Sequence, residues 1–392
     1  MSSIVIQGDT SGSITVEAPS VAGTHTLTLP KATGNIATDA TVGLGTKNLI
    51  INGDMRIDQR NAGASVTIPA AAITYTLDRW FGYASQASKF TVQQNAGSVT
   101  PPSGFTNYIG ATSSSSYSVG ASDLFITSQR IEGLNTAHLA WGTADAKTVT
   151  LSFWVRSSLT GTFGGSVKNS AGNRSYPFSY TISSANTWEQ KTITISGDTT
   201  GTWLTTNGIG IDLNFGLGAG ASYVGTAGSW QSANLVSATG ATSVVGTSGA
   251  TLYITGVQLE ANTTATPFEN LQYGQQLALC QRYLQSSWSQ GSAIGSAVGQ
   301  TTNSVQQSWG NLNAGIAGQA FLLPVTMRTS PTLVVYDMAL TTGKVTTLGN
   351  GAGATNNVSA NNSATTTNMF YVRLYANNQA GMVFAYTLTV EL

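Results

Sequence analysis

Charge is scarce in this chain. Asp, Glu, Lys and Arg make up 8% of its 392 residues, against about 25% in ordinary soluble domains. The 16 basic and 16 acidic residues cancel, and no basic arm or patch is visible, which excludes a nucleic-acid partner. Cysteine is represented by Cys280 alone, so no intrachain disulfide can form. With only His25 and His138 beside it, no zinc motif can be assembled. No apolar run approaches the length of a membrane-spanning helix.

Low charge without disorder needs another source of polarity. Disordered chains are charge-rich and aromatic-poor, whereas this one has 41% hydrophobic residues, 8 Trp and 14 Tyr. Its surface must be made polar by Ser, Thr, Asn, Gln and Gly. That composition suits extracellular β-rich assemblies in which much surface is buried between subunits.

The periodicity is that of strands. Residues 4–6, 14–16 and 26–29 alternate between turn residues, and residues 1–45 are too few to fold without association. Residues 46–268 carry strands expected at 49–51, 75–83, 89–94, 123–131, 148–156, Glu189–Ile195, 209–215 and 251–259. Gly/Ser/Thr-rich loops separate them, a spacing that predicts a jelly-roll-like β-sandwich. One helix is expected over 271–285, with Tyr273, Leu277, Cys280 and Leu284 on one face. It links to a C-terminal β-sandwich over 288–392, with strands at 321–327, 332–338, Met369–Tyr375 and 382–390. The Gly/Asn/Thr-rich stretch 341–367 reads as an exposed loop. The expected fold class is therefore all-β, divided as 1–45, 46–268, 269–287 and 288–392.

Several stretches resemble bacteriophage fibre proteins. ITVEAPSVAGTHTLTLPKATGNIAT at 14–38 is similar to an N-terminal segment of virion proteins. NLIINGDMRIDQR at 48–60, LDRWFGY at 77–83 and GVQLEANTTATPFENLQYGQQLALCQRYLQ at 256–285 resemble the central part of phage tail fibres, and VTMRTSPTLVVY at 325–336 their tips. The resemblance implies a homotrimer, a virion location and docking to other virion proteins through the N-terminus. The opening MSSIVIQGDTSGS has no charged n-region and no apolar h-region, as expected of a virion part assembled in the host cytoplasm. The region 46–268 also resembles carbohydrate-binding jelly rolls: an Asn52-Gly53-Asp54 turn, the strand TLSFWVRSS at 150–158, a Trp-led strand at 188–195 and an apolar last strand ending at Glu260. In such modules the corner of Asp54 and Glu260 holds a structural Ca²⁺; the alternative is turn hydrogen bonding by Asp54 and a solvent-facing Glu260.

Three groups of candidate ligand-binding residues follow. Alternation places Trp154 and Arg156 opposite the core residues Leu151, Phe153 and Val155, and Asp212 and Asn214 opposite Ile209, Ile211 and Leu213. A Trp beside Arg, Asp and Asn can form a sugar groove; Trp154 can equally pack under a loop or in a subunit interface. Asn356, Asn357, Asn361 and Asn362 offer uncharged donors and acceptors in the stretch 341–367, which suits neutral glycans on a distal, receptor-facing domain. Trp80 is expected in the core. No nucleophile elbow, triad or repeated β-helix rung marks catalysis, so a non-enzymatic role is expected. The expected function is structural attachment of a phage to a bacterial surface glycan or lipopolysaccharide. A head fibre or capsid decoration protein is the alternative, and a polysaccharide depolymerase a further one.

Overall fold

Ile and Val alternating with polar residues favour paired extended chain, and the first strands of the protein follow that rule. The structure, a computed structural model, describes residues 3–7, 13–17, 47–312, 316–349, 354–375 and 379–392. The chain divides into two compact units, Met1–Gly45 and Thr46–Leu392. In the first, β1 (Ser3–Gln7) pairs antiparallel with β2 (Ser13–Glu17), Ile4 opposite Val16 and Ile6 opposite Ile14. The strand expected at 26–29 lies outside the described residues.

The second unit begins with a β-sandwich. Its strands are β3 (Val66–Thr67), β4 (Thr74–Leu77), β5 (Trp80–Ala84), β6 (Phe90–Gln94), β7 (Ile109–Ser113), β8 (Leu124–Glu132), β9 (Val149–Ser157), β10 (Gly161–Lys168), β11 (Ser175–Ile182), β12 (Glu189–Ile195) and β13 (Ile209–Ala219). The short pair β14 (Val224–Gly225) and β15 (Ser237–Ala238) precedes the last strand, β16 (Thr251–Glu260), and a single helical turn, α1 (Gly133–Thr136), follows β8. Two six-stranded sheets result: β11-β10-β13-β8-β5-β4 and β12-β9-β16-β7-β6-β3. The chain passes repeatedly between them, giving a jelly-roll-like sandwich. Their inner faces meet through Phe153 of β9 and Phe215 of β13, ring centroids 5.1 Å apart. Each fully buried ring of this kind contributes about 2–3 kcal/mol. Trp80 is fully buried here, its indole N–H donating to the Asn52 carbonyl at 3.0 Å.

Two strand expectations need correction in this sandwich. Residues 49–51 form a bend and turn, because the Asn48 side chain accepts from Ile50 N and Leu259 N (3.0 and 3.1 Å). Residues 75–83 are two strands, broken where Arg79 takes a φ of 70°.

The helix α2 (Tyr273–Gln281) is shorter than expected at both ends. Cys280 is buried with Ile51, Ile57 and Tyr283, and Leu277 is partly buried against them. Tyr273, by contrast, is exposed and donates to Gln290, and Leu284 has already entered a strand. The strands that follow are β17 (Leu284–Ser286), β18 (Val305–Leu312), β19 (Ile316–Leu322), β20 (Thr332–Tyr336), β21 (Lys344–Gly349), β22 (Ala354–Thr365), β23 (Met369–Tyr375) and β24 (Gln379–Thr389). β24 organises them: β18 and β21 pair with its first half, β17 and β20 with its second. The ladder continues β21-β22-β23-β19. Phe321 of β19 stacks on Phe370 of β23 and meets Phe384 of β24 at 5.4 Å, so the far end of the ladder folds back over its middle. A second core of Met327, Val335, Val345, Phe370, Met382 and Phe384 lies inside. The stretch 341–367 is thus not an exposed loop, since most of it is β21 and β22. Residues 323–327 are likewise not strand.

Candidate functional site

Strand parity exposes one face of the sheet β11-β10-β13-β8-β5-β4. On β5, Trp80 and Ala84 enter the core, so Phe81 and Tyr83 face outward. On β8, Phe125 and Ile131 enter, so Leu124, Ile126 and Arg130 face outward. On β13, Ile211 and Leu213 enter, leaving Asp212 outside. Register then builds a row across three strands, with Asp212 opposite Lys168 of β10 on one side and Arg130 of β8 on the other.

Part of this outer face is covered. The segment around β15 lies flat on it, which requires glycine beneath. A Cβ on Gly164 would stand 2.4 Å from Ser237 Oγ, and one on Gly216 2.8 Å from it. What stays open is a groove of about 230 Å³, walled by Phe81, Tyr83, Leu124, Ile126 and Val236, with Ile73, Tyr223 and Asn234 beside Arg130, Lys168 and Asp212. The Arg130 guanidinium lies 5.2 Å from the Phe81 ring centroid. Arg130 Nε and Lys168 Nζ approach Asp212 Oδ2 at 3.7 and 3.8 Å, outside hydrogen-bond range. Asp212 Oδ1 instead lies 2.8 Å from the Ser128 hydroxyl. Lys168 Nζ donates to Asn234 Oδ1 at 3.0 Å.

The candidate residues read from the sequence are distributed differently. Asp212 is in the groove. Asn214 is not: it is fully buried, its amide donating to Ser166 Oγ at 3.2 Å. Trp154 and Arg156 lie on β9, in the other sheet, with the core between them and Asp212. One groove joining the four is therefore not what the fold builds. Trp154 stands beside Gly256, whose other neighbour is Phe105, and Arg156 donates to the Asn186 carbonyl at 2.9 Å. Asn356 accepts from Thr346 Oγ1 at 2.6 Å, and Asn357, Asn361 and Asn362 belong to β22, Asn361 opposite Arg373 and Asn362 opposite Val372. Phe81, Tyr83, Arg130 and Lys168 escaped the sequence reading. Once Trp80 was placed inside, parity alone pointed Phe81 and Tyr83 outward.

The carboxylates expected to share Ca²⁺ are engaged by protein groups, Asp54 through one oxygen only, its Oδ1 being buried without a hydrogen-bond partner. Asp54 is ion-paired to Arg56. Glu260, far from facing solvent, is buried and accepts from Gln258 Nε2, Thr266 N and Thr266 Oγ1 at 2.7–2.9 Å. Among the described residues no three His, Cys, Asp or Glu converge.

Beside the groove, the side chains that hold the two β assemblies together form a polar cluster. Glu391 pairs with both Arg60 and Arg79, and Leu392 O accepts from Tyr75 Oη and Arg130 Nη1 at 2.8 and 2.7 Å. Glu132 accepts from Arg282 and Tyr283 at 2.7–2.9 Å. Burial pushes the Glu132 carboxyl up, but these bonds outweigh it and hold it below its ordinary value.

No protein-family model and no curated protein matches the chain. Among solved structures it is similar to the enzymatically active domain of tailspike protein 4 of bacteriophage CBA120, with 14% identity over 55% of this chain and a TM-score of 0.29. The chain spans 22% of the length of that tailspike. It is also similar to the family 11 carbohydrate-binding module from Clostridium thermocellum in complex with a β-1,3-1,4-mixed-linked tetrasaccharide, with 11% identity, 51% and 98% of the two chains covered and a TM-score of 0.26.

Proposed function

We propose that the protein is a non-catalytic glycan-binding fibre component of a phage virion, and that its groove on β5, β8, β10 and β13 takes the sugar. The observation that carries this reading is the row Lys168–Asp212–Arg130 set beside the half-buried ring of Tyr83, with the buried Phe81 behind it. Sugars present apolar C–H faces that stack on rings and hydroxyls that bond planar and charged groups, and the groove supplies both within one concavity. Among the described residues Asp212 is the one carboxylate lining it, whereas glycoside hydrolysis uses a pair about 5–9.5 Å apart. The fibre role draws its support from the motifs at 14–38, 48–60 and 256–285. In this reading the N-terminal segment docks to the virion, the chain forms a homotrimer, and repeated weak sites gain avidity on the host surface.

Calorimetric titration with oligosaccharides cut from the host surface tests the site. Tyr83→Ala is expected to remove binding while the circular dichroism spectrum is kept, and Trp154→Ala to leave binding unchanged. The reverse pattern would move the site to the other sheet. Antibody labelling of intact particles tests the location; label on the capsid would favour a head fibre or decoration protein.

A further inference from the structure

We infer that the groove selects a glycan carrying an anionic group; this rests on the groove being the sugar site. The row across β10, β13 and β8 holds two cations and one anion. Asp212 offsets only one of the two positive charges, standing within ion-pair distance of both at 3.7 and 3.8 Å without a hydrogen bond to either. Its Oδ1 is occupied by the Ser128 hydroxyl. Glu391 is taken by Arg60 and Arg79, and Arg130 donates to a main-chain oxygen of Leu392.

Donors are left over on both cations. Among the described residues Lys168 Nζ makes one hydrogen bond, to Asn234 Oδ1. Arg130 uses Nη1 on Leu392 O and turns its buried Nε towards Asp212, while Nη2 donates no hydrogen bond among the described residues. The surrounding wall of Phe81, Leu124, Ile126 and Val236 is apolar, which strengthens attraction to an entering anion. A neutral sugar would cover this excess positive charge without compensating it. A carboxylate or phosphate on the sugar would complete the row, Arg130 and Lys168 each gaining a charge-assisted hydrogen bond.

The full chain is titrated with three sugars: a galacturonate trisaccharide, a phosphorylated trisaccharide and β-1,4-galactotriose. At least one acidic sugar is expected to bind about tenfold more tightly than the neutral one, as a charge-assisted bond allows. Raised salt should weaken it, and Lys168→Gln should reduce the acidic affinity severalfold more than it reduces the neutral one. Whichever acidic sugar binds identifies the anion. Equal, salt-independent affinity for galactotriose that Tyr83→Ala abolishes would overturn the anionic preference and leave the glycan groove standing. No binding of any sugar would overturn both.

Discussion

Arg79 and Glu391 stand 312 positions apart in the sequence and form an ion pair where the two β assemblies meet. The Arg79 side chain is 1% exposed, and its guanidinium also lies 3.5 Å from the Tyr283 ring centroid. A charge so far from water is tolerable only with its counter-ion in place.

Glu391→Ala is therefore expected to cost about 3–5 kcal/mol, the usual penalty for leaving a buried charge unpaired. Arg60 would lose its partner as well. Denaturant unfolding of the purified variant measures this. A loss below about 1 kcal/mol, the scale of an exposed pair, would show that water reaches the site.

Asp78 gives stability an unusual acid dependence. Burial raises its carboxyl from 3.8 to about 6, against the opposing pull of Arg60 and of hydrogen bonds from Gln59. The folded state then holds the proton more tightly than the unfolded chain. Its contribution should grow as pH falls from about 6 towards 3.8 and be lost as pH rises through that window. Urea midpoints measured across the window should show this slope, and Asp78→Asn should flatten it.

Asp123 behaves in the opposite sense. Burial raises its carboxyl, but hydrogen bonds from Ser85, Tyr117, Gly120 and Gln86 prevail and bring it down to about 2. Its stabilisation is complete above 3.8 and is lost as pH falls through about 2. Asp123→Asn should cost about 1–2 kcal/mol at neutral pH, since the amide cannot accept all four donors. The difference from the parent protein should vanish in strong acid.

Cys280 should be silent in the native state. It is fully buried, and burial together with the nearby Asp78 pushes its thiol well above the usual range. A thiol-reactive dye should label it only at the rate of unfolding, so labelling kinetics and denaturant unfolding should agree. Fast labelling of the folded protein would mean that α2 opens locally.

Much of the fold was legible because alternation is local. Glu189–Ile195 and Met369–Tyr375 are strands at the residues expected. β13 runs on to Ala219 because Gly216 and Gly218, which hide the alternation, still pair through the backbone with β8. β21 and β22 were obscured by Asn, Thr and Gly, residues of turn composition that here are held in a ladder by their neighbours. The groove was illegible for a different reason. Parity placed Asp212 and Trp154 each opposite a core face, but nothing local says which sheet a strand joins. Only the order β10-β13-β8-β5 brings Lys168, Asp212, Arg130 and Phe81 together, and that order is set by long-range pairing.

The central place of β24 has a consequence for synthesis. A ribosome emits β17, β18, β20 and β21 before the strand that joins all four. Until β24 emerges, β17, β18 and β20 lack the strand they pair with and the core lacks Met382, Phe384 and Leu388, although β21, β22, β23 and β19 can already pair with one another. Closure of the C-terminal sheet then waits for β24, and the buried Arg79 gains its counter-ion no earlier. A chain released early, or stalled before β24, would present open strand edges to its neighbours and be prone to aggregate.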